Sequence, residues 1–234
     1  MFKRKKEKSE NPLNSPGLVS MINPKSIVAE QFRMVRTNLE FSIVDKDLKS
    51  FLVTSLAPSA GKSTISTNLA ATFATQGKKV LLVDTDMRKP TIHKILKMRN
   101  NEGLSTLITS KEATIFEYIE KTEFENMYVL TSGATPPNPA ELISSKRMEQ
   151  LIEEMEQAFD LVIFDTPPVL AVADSQIMAG KVDGTLFILR KGVDTKVQIQ
   201  SANERMESVN ANVLGAIYNR IEPSDDDCYY YEYI

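Results

Sequence analysis

The chain has 234 residues, 42% of them hydrophobic and 25% charged, and a formal net charge of −3. That length supports one domain with a full core. The near-neutral balance excludes a global polyanion or polycation role, so no nucleic-acid partner is expected. A single cysteine, Cys228, rules out an intramolecular disulfide and argues against a thiolate metal site.

The basic start, Lys3, Arg4, Lys5, Lys6 and Lys8, leads into Ser9, Asn11 and Pro12 instead of an apolar stretch. It is therefore no signal peptide. Residues 1–25 read as a solvated basic arm, able at most to graze anionic lipid weakly. A helix is expected over 26–42, with Val28, Phe32, Val35 and Leu39 on one face. Apolar runs then recur at 51–56, 79–83, 127–131, 160–164, 185–189 and 213–218. They lack clean alternation, as strands buried on both faces should. Helical patterns separate them at 63–76, 103–121, 140–158, 174–181 and 195–209. Strands alternating with helices predict an α/β fold over 26–220, a mostly parallel central sheet with helices on both faces. Ligands of such sheets bind outside the carboxyl ends of the strands. No apolar run approaches the ~20 residues that cross a bilayer, so a cytoplasmic location is expected. Residues 221–234 form an acidic tail with Asp225, Asp226, Asp227 and Glu232. Four of the chain's seven tyrosines, Tyr229, Tyr230, Tyr231 and Tyr233, cluster there.

The run 51–56 enters Ala57-Pro58-Ser59-Ala60, and Gly61-Lys62-Ser63-Thr64 opens a helix. A strand, a loop and GK[ST] at a helix start make a P-loop, whose N–H groups and helix N-terminus attract phosphates. Lys62 would reach the β- and γ-phosphates and Ser63 would hold Mg²⁺. The first glycine of the full pattern falls at Leu56. Asp84 and Asp86 follow one buried strand, and Asp165 ends another. One strand-end aspartate is commonly a turn or cap residue. Three around a single P-loop supply carboxylates for Mg²⁺ and one for a base. His93, the one histidine, reads as structural. A nucleotide engine with a tyrosine-loaded tail suggests that the tail is a substrate.

At these residues the chain resembles the bacterial tyrosine kinases of capsule and exopolysaccharide synthesis. The resemblance covers about 26–234 and rests on the loop at 57–64, LLVDTDMRKP at 81–90, PPNPAEL at 136–142, LVIFDTPP at 161–168 and the tyrosine cluster. It implies an ATP-dependent protein tyrosine kinase that phosphorylates its own tail at Tyr229, Tyr230, Tyr231 and Tyr233. By position, Ser59, Ala60, Gly61, Lys62, Ser63 and Thr64 would hold the nucleotide phosphates, and Asn219 and Arg220 the adenine. Ser63, Asp86 and Asp165 would hold Mg²⁺. Lys62, Asp84 and Asp86 would be catalytic, with Asp84 activating the incoming hydroxyl. The family usually has glycine where this chain has Ser59. Glu30, Arg33 and Arg36 match its ExxRxxR assembly motif and span an arc of about 120° on a helix, away from the apolar stripe. The resemblance implies a homo-oligomeric ring, an octamer. It also implies a transmembrane adaptor as activator, a cognate tyrosine phosphatase, protein substrates, and a place at the inner face of the membrane.

Two other functions compete. A MinD/ParA-type ATPase switch shares the sheet, P-loop and aspartates, but those ATPases carry a lysine at the position of Ala57, and MinD ends in an amphipathic helix. An idle scaffold whose tail only binds a partner is disfavoured by the intact Lys62, Asp84, Asp86 and Asp165.

Overall fold

The computed structural model describes residues 18–42, 48–110 and 112–219. Arg220, the tail tyrosines and most of the basic arm lie outside the described residues. The chain runs α1 (Val19–Ile22), α2 (Ile27–Phe41), β1 (Ser50–Ser55), α3 (Lys62–Ala74), β2 (Val80–Asp84), α4 (Ile92–Ile95) and α5 (Leu104–Thr109). A 3-10 turn (Ile115–Glu117) follows, then β3 (Glu120–Lys121), β4 (Met127–Leu130), α6 (Pro139–Ser144) and α7 (Lys146–Ala158). The last elements are β5 (Leu161–Asp165), α8 (Asp174–Ala179), β6 (Gly184–Arg190), α9 (Lys196–Glu207) and β7 (Val213–Asn219).

The seven strands form one sheet in the order β3-β4-β2-β5-β1-β6-β7. Every neighbouring pair is parallel except β3 with β4. Alternate residues of each central strand enter different cores. Leu52, Leu81 and Val83 join α7, α8 and α9 on one face, through Leu151, Met178 and Met206. Phe51, Val53 and Leu82 join α3 on the other, through Leu69 and Phe73. Both faces are therefore dry, and β1, β2 and β5 are buried at every position. That is why their sequences show apolar runs without a period of two.

Several elements differ from the sequence reading. The pattern over 103–121 is not one helix. Thr109 Oγ1 donates to the carbonyls of Ser105 and Thr106, Ser110 turns extended, and Thr114 with Glu117 forms a capping box that starts a separate turn. The pattern over 140–158 breaks at Ser145, whose backbone is extended (φ −69°, ψ 151°) and whose side chain accepts from Met148 N. A hydroxyl cap stops α6 and starts α7 within one residue. The strand at 213–218 is present as β7, but at the sheet edge, and Tyr218 is exposed there. Residues 18–22, read as arm, pack on the domain. Leu18 is fully buried, and Ser20 N and Oγ both donate to Asn68 Oδ1 on α3, at 2.9 and 2.8 Å.

Phe32, Val35 and Leu39 of the expected α2 stripe pack on the core, but Val28 does not and Arg36 joins the buried side. Ala29, Arg36 and Leu39 are buried, while Val28 is 42% exposed. Arg36 thus leaves the exposed assembly face predicted for it. It lies inward, with Nε 3.9 Å from Glu40 Oε2 and its Nη atoms within 3.0 Å of the Gln76 side-chain amide, whose oxygen accepts both once the amide is turned toward them. Its aliphatic stem covers core surface while the charged end finds polar partners. Glu30 and Arg33 stay half-exposed and pair with each other at 2.5 Å.

Candidate functional site

Residues 56–61 connect β1 to α3 in a loop that needs unusual backbone angles. Ser59 has φ 61° and Gly61 has φ 90°, both in the left-handed region that favours glycine. At Gly61 a Cβ would also lie 2.4 Å from Asn219 Nδ2, so that amide would have to move aside. That amide donates to Ala60 O at 2.8 Å, so the end of β7 buttresses the loop. Gly61 caps α3 without a side-chain bond. The first N–H groups of the helix are thereby left to a phosphate, where the helix dipole also attracts negative charge.

In front of this helix end lies a cavity of about 440 Å³, lined among others by Gly61, Lys62, Ser63, Thr64, Asp86 and Arg88. It sits beyond the carboxyl ends of β1, β2 and β5, as the strand pattern predicts. The structure brings Lys62, Ser63, Asp86 and Asp165 together. Lys62 Nζ is 3.0 Å from Asp86 Oδ2 and 3.9 Å from Asp165 Oδ2. Ser63 Oγ donates to Asp165 Oδ2 at 2.6 Å, and Ser66 Oγ to Asp165 Oδ1 at 3.1 Å. Burial opposes the charge on Lys62, but Asp165 and Asp86 beside it lift its pKa above the usual value. Burial raises the Asp165 pKa, against the lowering pull of Lys62 and Ser63.

Asp84, the residue expected to activate the incoming hydroxyl, stands at the end of β2. It is fully buried and spends its oxygens on the following loop. Oδ1 accepts from Asp86 N at 3.2 Å, and Oδ2 from Thr91 N and Ile92 N, both at 3.1 Å. Asp86 lines the cavity. Burial, followed by the nearby Asp165, pushes the Asp84 carboxyl up to about 8, although the two N–H donors of Ile92 and Thr91 pull it down.

A family model described as an AAA domain matches residues 58–183. The tyrosine-protein kinase YwqD of Bacillus subtilis is 46% identical over 86% of this chain and 85% of its own. The chain belongs to the bacterial tyrosine-protein kinase family. The putative tyrosine-protein kinase CapB of Staphylococcus aureus is 40% identical over 90% of this chain and 92% of its own. The crystal structure of the chimerical protein CapA2B2 superposes with a TM-score of 0.84 at 40% identity, covering 88% of this chain and 91% of that one. The cell-division ATPase MinD of Pyrococcus furiosus, at 22% identity and a TM-score of 0.63, shares the fold. The P-loop of this family member is a nucleotide-binding site of the ATP type.

Sequence reasoning gave no role to three residues of the site. Ser66 adds a second hydroxyl to Asp165. Arg88 lines the cavity and is gripped by the buried Asp174 on α8. Arg88 stood within LLVDTDMRKP, but Asp174 is 86 residues away in the chain, and no local spacing links the two. Arg220 and the four tail tyrosines lie outside the described residues.

Proposed function

We propose that this chain transfers the γ-phosphoryl group of ATP to tyrosine hydroxyls, first of all those of Tyr229, Tyr230, Tyr231 and Tyr233. The observation that carries this reading is the convergence of Lys62, Asp86 and Asp165 in front of the α3 N-terminus, in a chain 46% identical to a tyrosine-protein kinase. Lys62 moves from Asp86 toward the phosphates as ATP enters, and the loop N–H groups hold the phosphate oxygens. The hydroxyl proton passes to the Asp84–Asp86 pair at the end of β2, of which Asp84 is the member not assigned to a metal. Phosphoryl transfer through a loose transition state asks little of a base and much of positioning. Asp84 also supports the reaction by fixing the 86–92 loop that carries Asp86.

The donor set fits Mg²⁺. Ser63, Asp86 and Asp165 offer a hydroxyl and two carboxylates, all hard oxygen ligands. Among the described residues no cluster of three or more acidic, histidine or cysteine ligands forms a protein cage. Mg²⁺ is commonly held in just this way, by one or two carboxylates plus substrate phosphates and water. When bound it supplies charge neutralisation on the phosphates.

Further parts of the reading rest on the family resemblance of the sequence motifs. An adaptor with a membrane-spanning part would activate the kinase and hold it at the inner face of the membrane. No helix among the described residues is itself long and apolar enough to cross one. The chain would assemble into a ring, an octamer, through the half-exposed Glu30 and Arg33 of α2. A tyrosine phosphatase would reset the tail, and the output would be control of capsular or extracellular polysaccharide synthesis. The deciding experiment is anti-phosphotyrosine signal on purified protein given Mg-ATP, beside a Lys62→Met variant. Signal in the unaltered chain and loss in the variant are expected. Equal signal in both would reject the mechanism.

A further inference from the structure

Two loops border the cavity on the side away from α3, one after β2 and one after β5. An ion pair clasps them together. Arg88 donates from Nε to Asp174 Oδ2 at 2.9 Å and from Nη2 to Asp174 Oδ1 at 3.1 Å. The Asp174 side chain is wholly buried, whereas that of Arg88 is 40% exposed. A two-point grip of this kind fixes the plane of the guanidinium. It leaves Nη1 without a hydrogen-bond partner among the described residues. The next residue, Lys89, also lines the cavity and is exposed, and its ammonium has no ion-pair partner among the described residues.

Neither cation has a task in the phosphate chemistry already assigned to Lys62 and the loop N–H groups. The candidate acceptor, in contrast, has an electrostatic problem. Asp225, Asp226 and Asp227 stand just before Tyr229, and Glu232 stands between Tyr231 and Tyr233. Such a segment must approach ATP and a site holding three carboxylates. Positive charge at the mouth would offset that repulsion and select for it.

We propose that Arg88, with Lys89 beside it, is an anion-reading site for the acceptor, selecting tyrosines preceded by aspartate or glutamate. Asp174 is a positioning residue that holds the guanidinium at the mouth. This rests on the kinase reading above and adds a substrate preference to it.

The test uses the full chain with its four tail tyrosines changed to phenylalanine, Asp225, Asp226 and Asp227 to asparagine, and Glu232 to glutamine. Its own tail then neither accepts phosphate nor competes. Two labelled peptides serve as acceptors: residues 224–234 as they stand, and the same peptide with its four acids amidated. Binding is read by fluorescence anisotropy with Mg-ADP, and KM and kcat with Mg-ATP. The acidic peptide should bind about tenfold more tightly, the effect of one charge-assisted contact, and the preference should shrink as salt is added. Arg88→Gln should bring the ratio of the two peptides close to one, mainly through KM. Arg88→Lys should keep part of it, and Asp174→Asn should give an intermediate ratio. Equal binding of both peptides by the unaltered site, or a preference that survives Arg88→Gln combined with Lys89→Gln, overturns the proposal. So does an Arg88→Gln loss equal for both peptides with a raised KM for ATP, which would assign Arg88 to the nucleotide. Turnover of neither peptide, with the anisotropy preference intact, would count against the kinase reading and leave the anion site standing.

Discussion

Lys62 Nζ lies 3.0 Å from Asp86 Oδ2, so the lysine meant for phosphates is paired with a carboxylate of the same site. Phosphate must compete for that ammonium. Asp86→Asn should therefore free Lys62 and tighten ADP binding several-fold in the presence of a chelator. The same change should cut tyrosine phosphorylation by about a hundredfold or more, because it removes charge needed at the transferring group. Calorimetry and phosphotyrosine blotting read the two effects separately. Weaker ADP binding in the variant would show that the pair helps nucleotide capture.

Asp84 gives a prediction about pH. Its carboxyl is raised from 3.8 to about 8, so the folded chain keeps a proton that the unfolded chain has lost. The stability this contributes is complete below the unfolded pKa and is lost as pH rises between about 4 and 8. Burial shifts Asp165 in the same direction. Without nucleotide or divalent cation, the thermal midpoint should decline across that window. Asp165→Asn should flatten the decline, and added Mg²⁺ should offset it at the alkaline end by favouring the charged carboxylates. A midpoint that stays level in chelator would contradict the burial-driven shift.

Ser59 occupies a left-handed conformation (φ 61°) at a place where the family usually has glycine. A non-glycine residue pays roughly 1 kcal/mol there. Ser59→Gly should raise stability or leave it unchanged, since the relief is partly cancelled by glycine's greater unfolded-state freedom. Phosphorylation should not fall. Denaturant unfolding measures the first expectation. Destabilisation above about 1 kcal/mol would mean that the serine side chain holds the loop in place.

The α2 motif divides into two kinds of residue. Arg36 is buried and reaches Glu40 and Gln76, whereas Glu30 and Arg33 form a half-exposed pair next to the exposed Met34. Arg36→Ala should lower the melting temperature through lost packing and unpaired polar groups. Glu30→Ala with Arg33→Ala should leave melting nearly unchanged, since exposed pairs contribute little, yet should shrink any assembly seen by light scattering. Oligomers of unchanged mass in that double variant would exclude this face as the contact.

The sheet and the P-loop were legible because their signals are local. An apolar run, a glycine-lysine turn and a carboxylate at a strand end each occupy a few consecutive residues, and the buried parallel strands force the rest into layers. What was hidden depends on contacts far apart in sequence. The buried side of α2 is set by α3 and its following turn, which accept Arg36 and expose Val28. The breaks inside 103–121 and at Ser145 come from hydroxyl caps that compete with an otherwise helical pattern. Asp84 matched an expected position, but only the fold reveals that its oxygens are taken by Asp86, Thr91 and Ile92.

The last prediction concerns the route of the phosphate. Within the sheet, β7 lies four strand spacings from β2, which is about 19 Å. The chain leaves β7 at Asn219, against the P-loop, while Asp86 and Arg88 stand beyond β2 on the other side. A tail tyrosine entering its own site must cross over the bound nucleotide to reach that side. The 10 to 14 residues from Asn219 to the tyrosines extend to roughly 35–45 Å, enough to enter a neighbouring subunit instead. Transfer between subunits is expected. The test mixes a Lys62→Met chain with intact tail and an active chain whose four tail tyrosines are phenylalanine. Mass spectrometry should find phosphate on Tyr229, Tyr230, Tyr231 and Tyr233 of the inactive partner. It should find none on Tyr128, inside β4, or on Tyr218, whose backbone is held in β7 although its ring is exposed. A silent mixture beside self-labelling wild type would place the transfer within one chain.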